Sequence, residues 1–320
     1  MKEAVLDALR ASGVFAAIRT ANRRKFLIVT YHRFSAQAAA GKTSAAALSE
    51  QLRYLQAHYT IVPLSAIERH LVEGDPLPSS SAAITIDDGY RDAYEVAFPI
   101  LRRYGARATL FAATDFVDGA DWLWTDKLRY VETRLPQPGR FSAALLNEEL
   151  KRVPAGERRL RIAAIARESG VALPASPPPD CQPMTWSQAR EMDAAGVEIG
   201  SHTVTHPILP LMTGDEIARE LHDSRSRLET ELDRPVTAFC YPNGDYDARV
   251  RYEVERAGYR VAVTTKPGLN GDGTVDPLAL ERIHTERDLT HFIQSTCGFE
   301  LLKERLRRAS HAAACCISAA

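Results

Sequence analysis

A chain of 320 residues with 45% hydrophobic and 25% charged residues has enough apolar material for two domains or one large α/β barrel. Its 40 Lys+Arg against 41 Asp+Glu leave a net charge of −1, which argues against a binder of nucleic-acid phosphates. No apolar run approaches the ~20 residues that span a bilayer, so no transmembrane segment is expected.

In chain order, the first element is an amphipathic helix over residues 1–25, with Val5, Leu6, Leu9, Val14 and Ile18 on one face and Arg23, Arg24 and Lys25 at its end. Asp7 and Arg10 interrupt its apolar stretch, which does not suit a secretory signal. The helix is expected to dock on the protein, with peripheral contact to an anionic membrane as the alternative. Short β-rich apolar runs follow over 26–31, 60–63, 82–86, 108–113, 197–199, 236–241, 260–264 and 280–284, with helical patterns between them. Gly105 and Gly258 close the helices before two of these strands. Thr185-Trp-Ser-Gln188 and Thr213-Gly-Asp-Glu216 are capping boxes, the second opening a helix with Ile217, Leu221, Leu228 and Leu232 on one face.

This rhythm predicts an α/β fold, a deformed (β/α) barrel of about seven to eight parallel strands over 26–295. The stretch from about 119 to 183 breaks it with Trp122, Trp124, two basic helical segments and the prolines 177–179. It reads as an insertion over one face, a lid or specificity element. Residues 296–320 read as a C-terminal helix and tail, in which Arg305, Arg307 and Arg308 form a solvated face. The five cysteines (Cys181, Cys240, Cys297, Cys315, Cys316) show no CxxC spacing, which suits a reducing compartment and a cytoplasmic protein.

In a parallel barrel the chemistry sits at the C-terminal ends of the strands. Here those ends run into His32, into Asp87-Asp88-Gly89, into His202-Thr-Val-Thr-His206-Pro207 and into Tyr241-Pro242-Asn243-Gly244. One carboxylate and two imidazoles make a three-ligand site for Zn2+ or a similar divalent ion. A ligand carboxylate does not readily double as a base, so a second one beside it is needed to deprotonate water. A histidine across the pocket can protonate a leaving group, and a Gly/Pro turn can offer backbone N–H groups to an oxyanion.

The motifs resemble those of the polysaccharide deacetylases (NodB-homology, carbohydrate esterase family 4). Ile84-Thr-Ile-Asp-Asp-Gly89 looks like their Thr-Phe-Asp-Asp-Gly motif, and His202-Thr-Val-Thr-His206-Pro207 like their His-[Ser/Thr]-x-x-His-Pro motif. Phe239-Cys-Tyr-Pro-Asn-Gly244 takes the place of their Arg-x-Pro-x-Gly motif. The resemblance implies Asp87 as catalytic base and Asp88, His202 and His206 as ligands of a divalent metal, with Zn2+ first and Co2+, Ni2+, Fe2+ or Mn2+ as alternatives. It implies a metal-dependent deacetylase acting on an N-acetylated carbohydrate.

The chain departs from the family twice. Cys240 stands where a motif Arg steadies the catalytic Asp, and Arg282, at the end of the last strand, is the expected substitute. The late Leu-x-His acid motif is not obvious near the C-terminus, whereas Leu27-Ile-Val-Thr-Tyr-His32 near the N-terminus looks similar, as in circularly permuted members. The acid role therefore falls to His32, with His284 as alternative, and Tyr241, Pro242, Asn243 and Gly244 are the expected oxyanion or substrate region. Trp122 and Trp124 are candidates for stacking on sugar rings. The competing readings are an inactive carbohydrate-binding scaffold of the same fold, and a metal phosphoesterase or other amidohydrolase.

Overall fold

The computed structural model describes residues 2–135, 142–271, 273–285 and 288–307. Arg308, Cys315 and Cys316 lie outside the described residues. The strands are β1 (Leu27–Tyr31), β2 (Phe34–Ser35), β3 (Thr43–Ser44), β4 (Thr60–Ile61), β5 (Ser81–Ile86), β6 (Ala108–Ala112), β7 (Val197–Ser201), β8 (Ala238–Cys240), β9 (Val261–Pro267) and β10 (Leu280–His284).

Seven strands close a parallel barrel in the order β1-β10-β9-β8-β7-β6-β5, with β5 pairing back to β1 from Leu27↔Ala82 to Tyr31↔Ile86. The extra strand β4 pairs with Ser81 and Ala82 of β5, and β6 takes that edge further on, at Thr85 and Ile86. The expected deformed barrel is thus present. The β2–β3 pair lies outside it and has no counterpart among the expected strands, because two-residue strands carry no readable period.

Every residue of β1, β5 and β6 is buried, as parallel strands covered on both faces require. Alternate residues serve two different cores. Leu27, Val29 and Tyr31 of β1 and Ala82, Ile84 and Ile86 of β5 belong to the large cluster shared with the surrounding helices. Ile28, Ala83, Phe111, Cys240, Val263 and Leu280 form a second cluster, the interior of the barrel. The two-residue period carries this inward set on to Thr30, Thr85 and Arg282, all buried, so the barrel's upper interior is polar. A bulge between Leu280 and Arg282 shifts the β10–β9 register at that level.

Both expected capping boxes form, at Thr185/Gln188 and Thr213/Glu216. The single helix expected over 1–25 is instead two, Lys2–Ala11 and Val14–Ala21. The break falls at Gly13, whose φ of 82° lies in the left-handed region that glycine tolerates. Leu6, Leu9, Val14 and Ile18 pack on the main core, and Phe15 meets Phe299 edge-on at 5.3 Å. Residues 124–181 carry the helices Trp124–Glu132, Ala143–Leu150 and Ala155–Glu168 and a turn at Pro179–Cys181. Trp124, Leu128, Leu150, Val153 and Ile162 join Ile208 in a cluster that fastens these helices over the end of the barrel.

Gly200 in β7 has no space for a side chain, since a Cβ there would lie 2.8 Å from the Phe111 ring and 3.0 Å from the Ala238 carbonyl oxygen. Gly200→Ala should therefore cost roughly 1–3 kcal/mol through overpacking of the barrel. Gly214→Ala faces open space at the start of a helix and should be neutral or slightly stabilising. Chemical denaturation of the two variants beside the parent checks this contrast.

Candidate active site

The polar interior layer converges on Asp87, the residue after β5, whose own N–H donates to the Tyr31 carbonyl at 2.9 Å. Arg282 is fully buried and grips both carboxylate oxygens, Nη1 to Oδ1 at 2.8 Å and Nη2 to Oδ2 at 2.7 Å. The rest of the guanidinium is satisfied by the Thr264 carbonyl, the Thr30 and Thr85 hydroxyls and, at 3.3 Å, the Cys240 sulfur. A planar fork against a carboxylate is the strong geometry for such a pair. Burial pushes the Asp87 carboxyl up, but the charge and hydrogen bonds of Arg282 outweigh it and hold the group well below the usual carboxylate range. Arg282 thus stands where the sequence placed it, against the Asp that Cys240 cannot steady.

Asp88, His202 and His206 meet beside this pair. The Nε2 atoms of both histidines lie 3.5 Å from Asp88 Oδ1, and the three residues present ligand atoms within 4.8 Å of one another. Their backbones are unusual, with positive φ at Asp88 (79°), Thr203 (68°) and His206 (54°), conformations that non-glycine residues adopt only when the surroundings enforce them. Glu220 does the enforcing for the histidine loop. From the helix Gly214–Leu232, its carboxylate accepts from the N–H groups of Val204 and Thr205 and from the Thr205 hydroxyl.

His202 Nδ1 lies 2.7 Å from the Cys240 carbonyl oxygen, so that nitrogen carries a proton and Nε2 is turned to Asp88. Burial and the neighbouring His202 push the His206 imidazole down to about 4. Burial lowers His202 too, but Cys240, Asp88 and Asp87 outweigh it and hold that imidazole well above its ordinary value. Two imidazoles with a carboxylate are a fitting donor set for a divalent cation.

The remaining expected residues divide. His32 Nε2 is 3.5 Å from Asp87 Oδ2, at the rim, with its side chain 43% exposed. The His284 ring stacks beside it at 6.4 Å, with Nε2 at 3.3 Å from the Thr265 carbonyl oxygen. In the Tyr241–Gly244 turn, the expected row of oxyanion donors is narrower than the sequence suggests. The Tyr241 N–H donates to the Val263 carbonyl, Pro242 has no N–H, and the Gly244 N–H donates to the Tyr241 carbonyl. That leaves Asn243 as the donor of this turn. Gly244 is required by packing, because a Cβ there would overlap Thr265. Trp122 and Trp124 are buried among Phe116, Tyr90, Leu128 and Ile162, flanking a cavity of about 640 Å³ beside the catalytic one, not lining the catalytic one itself.

The candidate catalytic cavity, about 520 Å³, also takes walls that sequence reading did not single out: Arg33, Tyr90, Arg129, Glu132 and Asn147. Arg33, next to His32, is buried over the Tyr90 ring at 3.9 Å and bonds Asp92 at 2.9 Å. The Tyr90 hydroxyl donates to Asp126 at 2.6 Å, and Asp126 also holds Arg129 at 3.1 Å. These contacts tie the helix Trp124–Glu132 to the loops that follow β1 and β5. The one available signal was adjacency, Arg33 to His32 and Tyr90 to Gly89.

Removing one partner of the Arg282–Asp87 pair leaves a buried charge uncompensated. Arg282→Met should lower stability by roughly 3–5 kcal/mol, and Arg282→Lys should restore little of it because an ammonium cannot form the fork. Adding Asp87→Asn to Arg282→Met should recover part of the loss. Denaturant midpoints of these three variants and of Asp87→Asn alone test this, and additive effects in the double variant would show that the pair is uncoupled.

Comparison with known proteins supplies the lineage. A family model described as polysaccharide deacetylase matches residues 74–262. YxkH of Bacillus subtilis (strain 168), classed by name with the polysaccharide deacetylases, is 24% identical over 270 residues, 83% of this chain and 74% of its own. Poly-beta-1,6-N-acetyl-D-glucosamine N-deacetylase of Escherichia coli (strain K12) is 22% identical over 279 residues, 84% of this chain but 38% of its own length. The solved structure of Streptococcus pyogenes deacetylase PplD in complex with acetate shares the fold, with a TM-score of 0.62 at 21% identity, covering 85% of this chain and 98% of that one. With the Asp-Asp and His-x-x-x-His motifs inside the matched region, this chain belongs to the polysaccharide deacetylase family.

Proposed function

We propose that the chain is a metal-dependent deacetylase that hydrolyses the N-acetyl group of an amino sugar in a poly- or oligosaccharide or its precursor. The observation that carries this reading is the placement, at one barrel end, of an ionised Asp87 gripped by Arg282 directly beside the Asp88–His202–His206 cluster. The family supports it, as does the substrate in the name of the Escherichia coli relative. An inactive scaffold of the same fold would have no need to keep base, ligands and their supports together.

Asp88, His202 and His206 would hold the divalent cation, with Zn2+ expected first. Such an ion supplies Lewis acidity at the acetyl carbonyl and acidity to water, which Asp87, a weak base beside Arg282, requires. Asp87 takes the proton of the attacking water, and its fixed orientation spares the reaction the cost of positioning it. The Asn243 N–H is placed to receive the developing oxyanion, with the turn held by Thr265 Oγ1 on the Asn243 carbonyl at 2.9 Å. His32 returns a proton to the departing amine from the rim of the cavity.

The reading takes residues 26–295 as the catalytic unit, the segment 119–183 as its insertion, and the flanking helices as additions. Taking His32 as the acid keeps the permuted order that the resemblance implies, since β1 brings it to the site from the start of the chain. A cytoplasmic location is supported by three buried, unpaired cysteines, Cys181, Cys240 and Cys297. No helix among the described residues is long and apolar enough to cross a membrane.

Acetate release from N-acetylated sugars, oligomers and polymers by metal-reconstituted protein tests the activity, and no release from any of them would overturn it. His202→Ala and Asp88→Asn should each lose bound metal on elemental analysis, whereas Asp87→Asn should keep it while turnover falls by roughly 10²–10⁴. Metal loss confined to Asp87→Asn would reverse the roles of the two aspartates.

The general acid is tested by the leaving group. His32→Ala should be nearly inactive on an N-acetyl sugar but retain much of its rate on an activated aryl acetate, whose departure needs little protonation. His284→Ala should be mild on both substrates, and the converse pattern would move the acid role to His284.

A further inference from the structure

The helix Ala143–Leu150 presents two neighbouring faces to different surroundings. Leu146 and Leu150 sit in the cluster with Trp124, Leu128 and Ile208, while Ala143, Ala144 and Asn147 line the catalytic cavity. The spacing of those three places them on one helical stripe. Two alanines leave room there, and Asn147 is the polar group of the three. The helix is fixed at its start, where Ser142 caps it and the Ala143 N–H donates to Glu132 Oε1 at 2.9 Å.

The barrel contributes a second amide to the same cavity, Asn243, held at φ 55° in the strand-end turn. Asn147 Oδ1 and Asn243 Nδ2 are both buried without a hydrogen-bond partner in the protein. Buried polar atoms are normally satisfied, and two unsatisfied side-chain amides around one cavity, with His206 Nδ1 as a third such atom, are the signature of groups whose partner is a ligand. The chemistry of the two amides is complementary: one accepts, the other donates, and neither is charged. A sugar hydroxyl or an acetamido group offers both a donor and an acceptor, whereas a simple acetyl ester offers acceptors alone.

We propose that Asn147, on the inserted helix, and Asn243, in the barrel turn, form a clasp for a neutral hydroxyl or acetamido substituent of the amino sugar. Asn147 is then a specificity residue, and the helix that carries it distinguishes an N-acetylated sugar from a simple acetyl ester. This rests on the deacetylase reading above and adds to it which part of the chain recognises the sugar.

The test compares kcat/KM on an N-acetylglucosamine oligomer with kcat/KM on an aryl acetate, which has no ring hydroxyls. Alanine is the best helix former, so Asn147→Ala keeps the helix that carries it. The oligomer-to-aryl-acetate ratio should fall about three- to tenfold, the worth of one neutral hydrogen bond, with the change in KM on the oligomer. Leu145→Ser, at an exposed position of the same helix that does not line the cavity, should leave the ratio at the parent value. A parent that acts on both substrates while Asn147→Ala leaves the ratio unmoved, or an equal shift in Leu145→Ser, overturns the clasp alone. A parent that cleaves the aryl acetate and no N-acetyl sugar overturns the deacetylase reading and the clasp with it.

Discussion

A single buried ion pair organises this molecule. Arg282 and Asp87 are both withdrawn from water, and neither charge is tolerable there without the other. The pair explains the polar upper interior of an otherwise apolar barrel: Thr30, Thr85 and the Thr264 carbonyl are present because a guanidinium has five N–H groups to satisfy. The β9–β10 register shifts at the level of Arg282, where β9 advances four residues, from Val263 to Pro267, against two of β10. The same arrangement keeps Asp87 ionised, so the fold's strongest electrostatic demand and the site's chemical demand are met by one contact.

Around that pair the loops are held from outside the barrel. Glu220 reaches from a surface helix to fasten the histidine loop, and Arg33, Tyr90 and Asp126 bind the inserted helices to the loops after β1 and β5. Left-handed conformations at Asp88, Thr203 and His206 persist because these supports over-determine them. The result is a cavity with Asp87, Asp88, His202 and His206 at strand ends and with walls from the loops after β1 and β5 and from the helices over 124–150. That division lets the walls vary while the chemistry stays fixed.

The barrel was readable because each of its strands is a short apolar run bounded by turn residues, and the site was readable because its residues follow those runs directly. Arg282 could be named as the partner of Asp87 because the resemblance calls for a cation that Cys240 does not supply, and Arg282 stands at the end of the last strand. What could not be read was pairing across long distances. Nothing local marks Asp126 as the partner of Tyr90, 36 residues away, or Glu220 as the support of a loop on another element. The Tyr241 N–H looked free because ladder bonds to a neighbouring strand leave no trace in sequence. Gly13 breaks the first helix in the structure, but the apolar stripe of Leu6, Leu9, Val14 and Ile18 runs through it and reads as one helix. Trp122 and Trp124 carry the same sequence pattern whether they stack on a ligand or anchor a roof, and the structure sets them in apolar clusters along the wall of a cavity of about 640 Å³.

The position of β1 between β10 and β5 has a consequence for assembly. Strands separated by some 250 residues of chain, β1 and β10, must meet before the cylinder closes. Such distant contacts return their free energy only after a long loop has been closed, which slows folding. On a ribosome, Asp87 emerges nearly two hundred residues before Arg282, and until β10 arrives the acidic residue has no counter-charge and the half-built sheet has open edges. Closure of the cylinder and neutralisation of its buried acid are therefore one event. A nascent chain stalled before β10 would hold every ligand of the cation cluster and still lack a completed barrel.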